Sequence, residues 1–115
     1  MKIPESVRIG GVEFSVVMEH RLNDGLHMLA GQHRPMTCQI ALEEGCDSQM
    51  RCLTLWHEIM HGIENQAQLE LGEQREVIIE AFARGVYQVL ADNADRLFDL
   101  EVKQPVQKGG CCVGG

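Results

Sequence analysis

The order of local patterns along the chain is the feature that most constrains its fold. Residues 6–19, SVRIGGVEFSVVME, carry β-branched side chains around Gly10 and Gly11, which predicts two strands joined by a turn or bulge. Residues 37–42, TCQIAL, alternate between two faces and predict a further strand, and residues 26–31, LHMLAG, are another candidate. Helical patterns follow. Strands that come first and helices that come last indicate an α+β fold.

Two helices are predicted in the second half of the chain. Asp47 or Ser48 is the expected N-cap of the first, which keeps helical character to about Gln66. Gly72 ends the connection, and the second helix is expected to start at Glu73 and to continue through REVIIEAFARGVYQVLADNADRLF. The sequence therefore predicts a pair of consecutive helices packed beside the strands.

The chain length allows one domain. With 115 residues it is long enough for a single modest core and too short for a barrel of eight β/α units. We expect one domain over residues 1–104. Residues 105–115, which end in a run of Gly and Cys, are expected to form a disordered tail.

Charge and cysteine content exclude several classes of function. The formal net charge is −7, from 17 acidic and 10 basic side chains, and no Lys/Arg cluster offers a face for nucleic acid or for an anionic membrane. No apolar run has the length of a signal peptide or a membrane span, so a cytoplasmic location is expected. The five cysteines are odd in number and form no C-x-x-C pair, which argues against a disulfide framework and a thiolate zinc ribbon.

The pentapeptide HEIMH, residues 57–61, lies within the first predicted helix. Residues four apart lie one turn above each other, so the imidazoles of His57 and His61 can reach one metal ion. Glu58 is about 100° further around the helix, beside the ion, where its carboxylate can accept a proton from water. Neutral imidazole suits Zn²⁺. The pattern therefore predicts a site for one Zn²⁺ with Glu58 as the general base; the competing interpretation is a helix whose His residues hydrogen-bond at the surface.

A hydrolytic zinc site usually has a third protein ligand. The second helix offers Glu73, Glu76 and Glu80, of which the last two are four residues apart and share a face. One of that pair can bind the metal while the other hydrogen-bonds a ligand imidazole. Helix geometry alone leaves the choice between Glu76 and Glu80 open.

The HEIMH motif followed by EVIIEAFA, residues 76–83, resembles the gluzincin branch of zinc metallopeptidases. The closer resemblance is to small peptidase-like proteins of the ImmA/IrrE type and to related proteins encoded in phages and prophages. Those proteins carry a motif similar to E-x-x-A-N-x-F-A after HExxH. This chain matches it at Glu76, Phe82 and Ala83, and it has Glu80 where the family often has Asn or Asp.

The resemblance implies a small zincin-like domain with one Zn²⁺ bound by His57, His61 and Glu76. It further implies that Glu58 is the catalytic base and that Glu80 is the hydrogen-bond partner of a ligand imidazole or an alternative metal ligand. By the same analogy, the strand at residues 37–42 would lie beside the cleft and offer its edge to an extended peptide.

Two functions follow as expectations. The first is a zinc-dependent metallopeptidase of phage or prophage origin, which hydrolyses a peptide or protein substrate with a metal-activated water. The second is a non-catalytic zinc-binding module with a peptidase-like fold that binds a partner protein. The second is motivated by the short chain and by the lack of an obvious His or Tyr donor for an oxyanion.

Overall fold

The computed structural model describes residues 2–98, which form a four-stranded mixed sheet and two helices. The elements in chain order are β1 (Ser6–Ile9), β2 (Val12–Glu19), β3 (Gly31–Arg34), β4 (Gln39–Glu43), α1 (Ser48–Ala67) and α2 (Arg75–Leu97). The predicted α+β class, with strands first and two helices last, is confirmed. The tail predicted at residues 105–115 lies outside the described residues.

The first two strands form a tight hairpin, as the paired glycines predict. Ile9 lies opposite Val12, so the connection is the two residues Gly10 and Gly11. Both have positive φ, +59° and +86°, which is the backbone conformation of a type I′ turn. Glycine adopts it without steric cost, and its twist matches that of the flanking strands.

The sheet has the strand order β1-β2-β4-β3, in which β2 and β4 are parallel and both outer pairs are antiparallel. The prediction that residues 37–42 offer a free edge is therefore wrong, because β4 is paired on both sides. Its residues Ile40, Ala41 and Leu42 are all fully buried. Three consecutive buried residues are typical of a central strand covered on both faces. The edge on this side of the sheet belongs to β3.

The predicted strand at residues 26–31 is also wrong, because most of this segment is a loop. The Oδ1 atom of Asp24 accepts hydrogen bonds from the main-chain N–H groups of Leu26 and His27, at 2.9 and 2.7 Å, and so holds a turn. The strand itself begins at Gly31, and its sequence, GQHR, has no β-branched residue. It is extended because it pairs with β4, a long-range contact that the local sequence does not encode.

The helices stack on one another beside the sheet. Helix α1 begins at the predicted N-cap Asp47, whose Oδ1 accepts a hydrogen bond of 2.8 Å from the N–H of Met50. Within the described residues, α1 contacts the sheet, and α2 contacts α1 but no strand. A short 3₁₀ turn, Gly72–Gln74, delays the start of α2 to Arg75. The main core lies between the sheet and α1 and consists of Ile9, Phe14, Ile40, Leu42 and Leu55.

Neither α1 nor α2, the two long helices of residues 2–98, is long and apolar enough to cross a membrane.

Candidate metal centre

The two imidazoles of the HEIMH motif lie together on the side of α1 that faces α2. One helical turn separates His57 from His61, and their ring centroids are 4.9 Å apart with an angle of 65° between the ring planes. Both side chains are largely buried. The helical spacing predicted this pairing, and the structure confirms that the two rings meet.

Glu76, in the first turn of α2, faces both imidazoles. Its Oε1 atom lies 3.4 Å from Nε2 of His57 and 3.5 Å from Nε2 of His61. Ligand atoms bound to tetrahedral Zn²⁺ at 2.0–2.1 Å are roughly 3.3 Å from one another, so these separations fit a shared ion. The three side chains offer ligand atoms that all lie within 4.8 Å of one another, and this group could hold a metal ion.

The outer nitrogen of His57 faces Glu80. Oε1 of Glu80 lies 2.7 Å from Nδ1 of His57, and Nε of Arg84 donates a hydrogen bond of 2.5 Å to Oε2 of the same carboxylate. Burial raises the pKa of Glu80, but the hydrogen bonds from His57 and Arg84 outweigh it and leave the pKa below its usual value. Of the two alternatives, the structure therefore brings Glu76 to the inner nitrogens and Glu80 to an outer one.

The outer nitrogen of His61 has a corresponding partner in Glu64, which sequence reasoning missed. Oε1 of Glu64 lies 3.0 Å from Nδ1 of His61, and the Glu64 side chain is only 8% exposed. A hydrogen bond from Arg75 is the main cause that lowers the pKa of Glu64 and keeps it ionised. The signal was present in the sequence, because His61 and Glu64 are three residues apart on one helix face.

These carboxylates determine which nitrogen of each imidazole carries the proton. A carboxylate only accepts hydrogen bonds, so Glu80 and Glu64 favour a proton on Nδ1 of His57 and His61. The lone pair of a neutral ring is then on Nε2, which is the atom that faces Glu76. Carboxylate partners of this kind orient metal-binding imidazoles and raise their basicity.

Glu58 is buried between α1 and β3, with 7% of its surface exposed. The main chain of His33, in β3, lies close to its carboxylate. Burial raises the pKa of Glu58, and the nearby imidazoles of His57 and His61 act in the opposite direction. Gly31 makes room for this side chain, because a Cβ there would lie 3.2 Å from Oε2 of Glu58.

A cavity of about 290 Å³ opens beside Glu58 and His57. Its lining also includes Gly31 and Thr54 as well as Glu80 and Arg84. Arg84 is the only cationic side chain among the lining residues. Tyr87 lines a different cavity, of about 510 Å³, further along α2.

His33 is a further histidine close to the candidate centre. The structure places it in β3, where its ring packs against Phe14 at a centroid distance of 5.5 Å. Burial is the main cause that lowers the pKa of His33, and the nearby His61 lowers it further. His33 therefore lies near the candidate centre but outside the group of three ligands.

Comparison with known proteins gave no match to any family model, to any curated protein or to any solved structure. The resemblance to gluzincins therefore depends on the motif residues alone.

Proposed function

We propose that this chain is a zinc-dependent metallopeptidase with a small zincin-like fold. The observation that carries the proposal is the position of Glu76, whose Oε1 atom lies within 3.5 Å of Nε2 in both His57 and His61. Two imidazoles and one carboxylate form a common ligand set of hydrolytic zinc sites, which leave a position for water or substrate. The proposal includes a phage or prophage origin, because the peptidase-like proteins that the HEIMH motif region resembles include ones encoded in phages and prophages.

The donor atoms fit Zn²⁺ better than Mg²⁺ or Ca²⁺, which prefer ligand sets made of oxygen. When bound, the ion would supply a Lewis acid that polarises a peptide carbonyl and makes water more acidic. His57, His61 and Glu76 would hold it. Glu80 and Glu64 keep the two imidazoles in the orientation that directs Nε2 towards Glu76.

The position of Glu58 supports its proposed role as the general base. Glu58 follows His57 directly on α1, lines the same cavity, and is close enough to both imidazoles for their charges to act on its pKa. Its carboxylate can accept a proton from water in the cavity and pass it to the leaving amine.

The edge strand β3 supplies a surface for an extended peptide, in place of β4. Glu43 donates its N–H to the carbonyl of Ala30 at 2.8 Å, and Gly31 is opposite Leu42 in the next pair. Because antiparallel pairs alternate, the main-chain groups of Gly31 and His33 point away from β4. These outward-facing main-chain groups can pair with the backbone of a substrate along the edge of β3.

Metal content is the first test. Purified wild-type protein should contain one Zn²⁺ per chain, measured by elemental analysis after exposure to zinc and removal of the excess. Glu76→Ala should lose most of the metal, and Glu80→Ala should weaken binding by about 10–100-fold, as expected for an outer partner. Glu73→Ala is the matched control, because Glu73 is a glutamate three residues before Glu76 that lies outside the ligand group. A wild-type protein without metal would refute the proposal.

Hydrolysis is the second test. Glu58→Gln should keep the metal and lose peptide cleavage against a mixed peptide library analysed by mass spectrometry, because an amide cannot act as the base. Cleavage by Glu58→Gln at the wild-type rate would contradict the assigned role of Glu58.

A second candidate function is a non-catalytic zinc-binding module that binds a partner protein. It is favoured by the outer face of α2, where Phe82 and Val89 are 62% and 54% exposed although both are large and apolar. In this alternative the metal has a structural role. Chelation should then unfold the protein, and wild type and Glu58→Gln should both fail to cleave any peptide.

A further inference from the structure

Arg75, the first residue of α2, contacts three members of the candidate centre. Its Nε donates to Oε2 of Glu64 at 2.5 Å, and its Nη1 donates to Oε2 of Glu76 at 3.1 Å. Its Nη2 lies 3.2 Å from Nδ1 of His61. One guanidinium thus connects a metal-ligand carboxylate with the outer side of a metal-ligand imidazole.

The contact with Glu76 restrains the most exposed of the three ligand side chains. Glu76 is 63% exposed, so its carboxylate would otherwise sample many rotamers in solvent. Arg75 holds Oε2, while Oε1 faces His57 and His61. A ligand fixed in this way loses less conformational entropy when it binds an ion.

The contact with Glu64 acts on His61. Guanidinium only donates hydrogen bonds and carboxylate only accepts them. A hydrogen bond from Arg75 therefore needs an Nδ1 of His61 without a proton, whereas a hydrogen bond to Glu64 needs an Nδ1 that carries one. The two contacts cannot both be hydrogen bonds to a neutral ring. The Glu64 contact, at 3.0 Å, is the shorter, and Arg75 holds the second oxygen of Glu64 at 2.5 Å. Arg75 therefore favours the His61 tautomer that leaves Nε2 free to bind a metal.

We propose that Arg75 is a positioning residue of the metal centre. It fixes the Glu76 carboxylate for metal binding, and it holds the Glu64 carboxylate where it accepts a hydrogen bond from Nδ1 of His61. The inference rests on the proposed metal site. Arg84 provides a comparison within the same helix. It makes the same kind of contact with Glu80, but no contact with Glu76.

The test measures metal affinity in the full chain. Wild type, Arg75→Met, Arg75→Lys and Arg84→Met are titrated with Co²⁺, whose visible absorption reports the ligand geometry, and with Zn²⁺ against a competing chelator. We expect Arg75→Met to weaken binding by about 10–100-fold. Arg75→Lys keeps the positive charge but lacks the planar set of N–H donors of the guanidinium. It should therefore lose less metal affinity than Arg75→Met. Arg84→Met should lose less than Arg75→Met.

A purely structural role for Arg75 gives a different result. Arg75 also links α1 to α2, so Arg75→Met should lower the melting temperature of the metal-free protein. If that were its only role, the folded variant would bind Co²⁺ with wild-type affinity and absorption spectrum, and the inference would be overturned. Equal losses in Arg75→Met and Arg84→Met would overturn it as well. If Arg75→Met does not fold, the same comparison is made with Arg75→Lys.

The two levels of the proposal fail in distinguishable ways. If wild type binds neither Co²⁺ nor Zn²⁺, the proposed metallopeptidase fails, and the role of Arg75 fails with it. If wild type binds metal and both Arg75 variants bind it equally well, only the role of Arg75 is refuted.

Discussion

Gly31 of β3 packs directly against the HEIMH helix, and Gly31→Ala tests that packing. A Cβ at this position would lie 2.5 Å from Cγ2 of Thr54 and 3.1 Å from Cγ of Glu58. The first distance is about 1 Å short of an ordinary contact between carbon atoms. Overpacking of this kind costs about 1–3 kcal/mol, which lowers the melting temperature of a domain of this size by about 4–12 °C.

Thr54→Ser provides the matching rescue, because it removes the methyl group that the new Cβ would meet. The single variant Thr54→Ser should cost about 1 kcal/mol for the loss of a buried methyl group. Combined with Gly31→Ala, it should relieve most of the overlap. The double-mutant cycle should then give a coupling free energy of about 1–2 kcal/mol in favour of the pair. Urea unfolding of the four proteins, followed by circular dichroism, measures each term.

Gly85→Ala is the control for replacing glycine as such. Gly85 is inside α2, and apart from the surrounding helix backbone no heavy atom of residues 2–98 lies within 4 Å of a Cβ placed there. Alanine should therefore stabilise the protein there by about 0.5–1 kcal/mol. If Gly31→Ala is as stable as wild type, or if Thr54→Ser gives no coupling, β3 does not lie against α1 as described.

Three further predictions concern the fold. Asp47→Ala should cost about 1 kcal/mol in urea unfolding, because the N–H of Met50 loses its cap, and an unchanged midpoint would contradict the cap. Ile40→Ala should cost about 2–5 kcal/mol, because Ile40 is fully buried; a loss below 1 kcal/mol would place it outside the core. Arg34 lowers the pKa of Glu19 from 4.5, so their ion pair stabilises the fold above that pH and is lost as the pH falls through the folded pKa. Since Glu19 is 38% exposed, the effect should stay below about 1 kcal/mol, and Glu19→Gln should show a shallower loss of stability in acid than wild type.

The features that the sequence predicted are those encoded within a few residues. Gly10 and Gly11 between two β-branched runs are sufficient for a hairpin turn, and Asp47 caps the helix that follows. The pairing of His57 with His61 follows from helix geometry alone, because any helix places residues four apart on one face. Each of these features depends on interactions between residues that are close together in the sequence. A local sequence pattern is therefore enough to predict it.

The features that the sequence did not predict depend on contacts between distant segments. The edge was assigned to residues 37–42 by the resemblance to peptidases, because the alternation in this segment indicates a strand but not its neighbours. Residues 35–38 are the turn between β3 and β4, and Cys38, with φ of +54°, keeps β4 from starting before Gln39. The choice between Glu76 and Glu80 depends on how α2 packs against α1, which a local sequence pattern does not encode. Arg75 was missed because its role appears only when both helices are in place.

The groups around the candidate ion come from two consecutive helices, α1 and α2, and lie between His57 and Glu80 in the sequence. The sheet contributes no ligand atom to this group. A bound divalent ion would therefore act as a cross-link between α1 and α2, and the free energy of metal binding would stabilise the packing of these two helices. Because α2 contacts no strand within the described residues, that cross-link would strengthen the attachment of α2 to the rest of the domain.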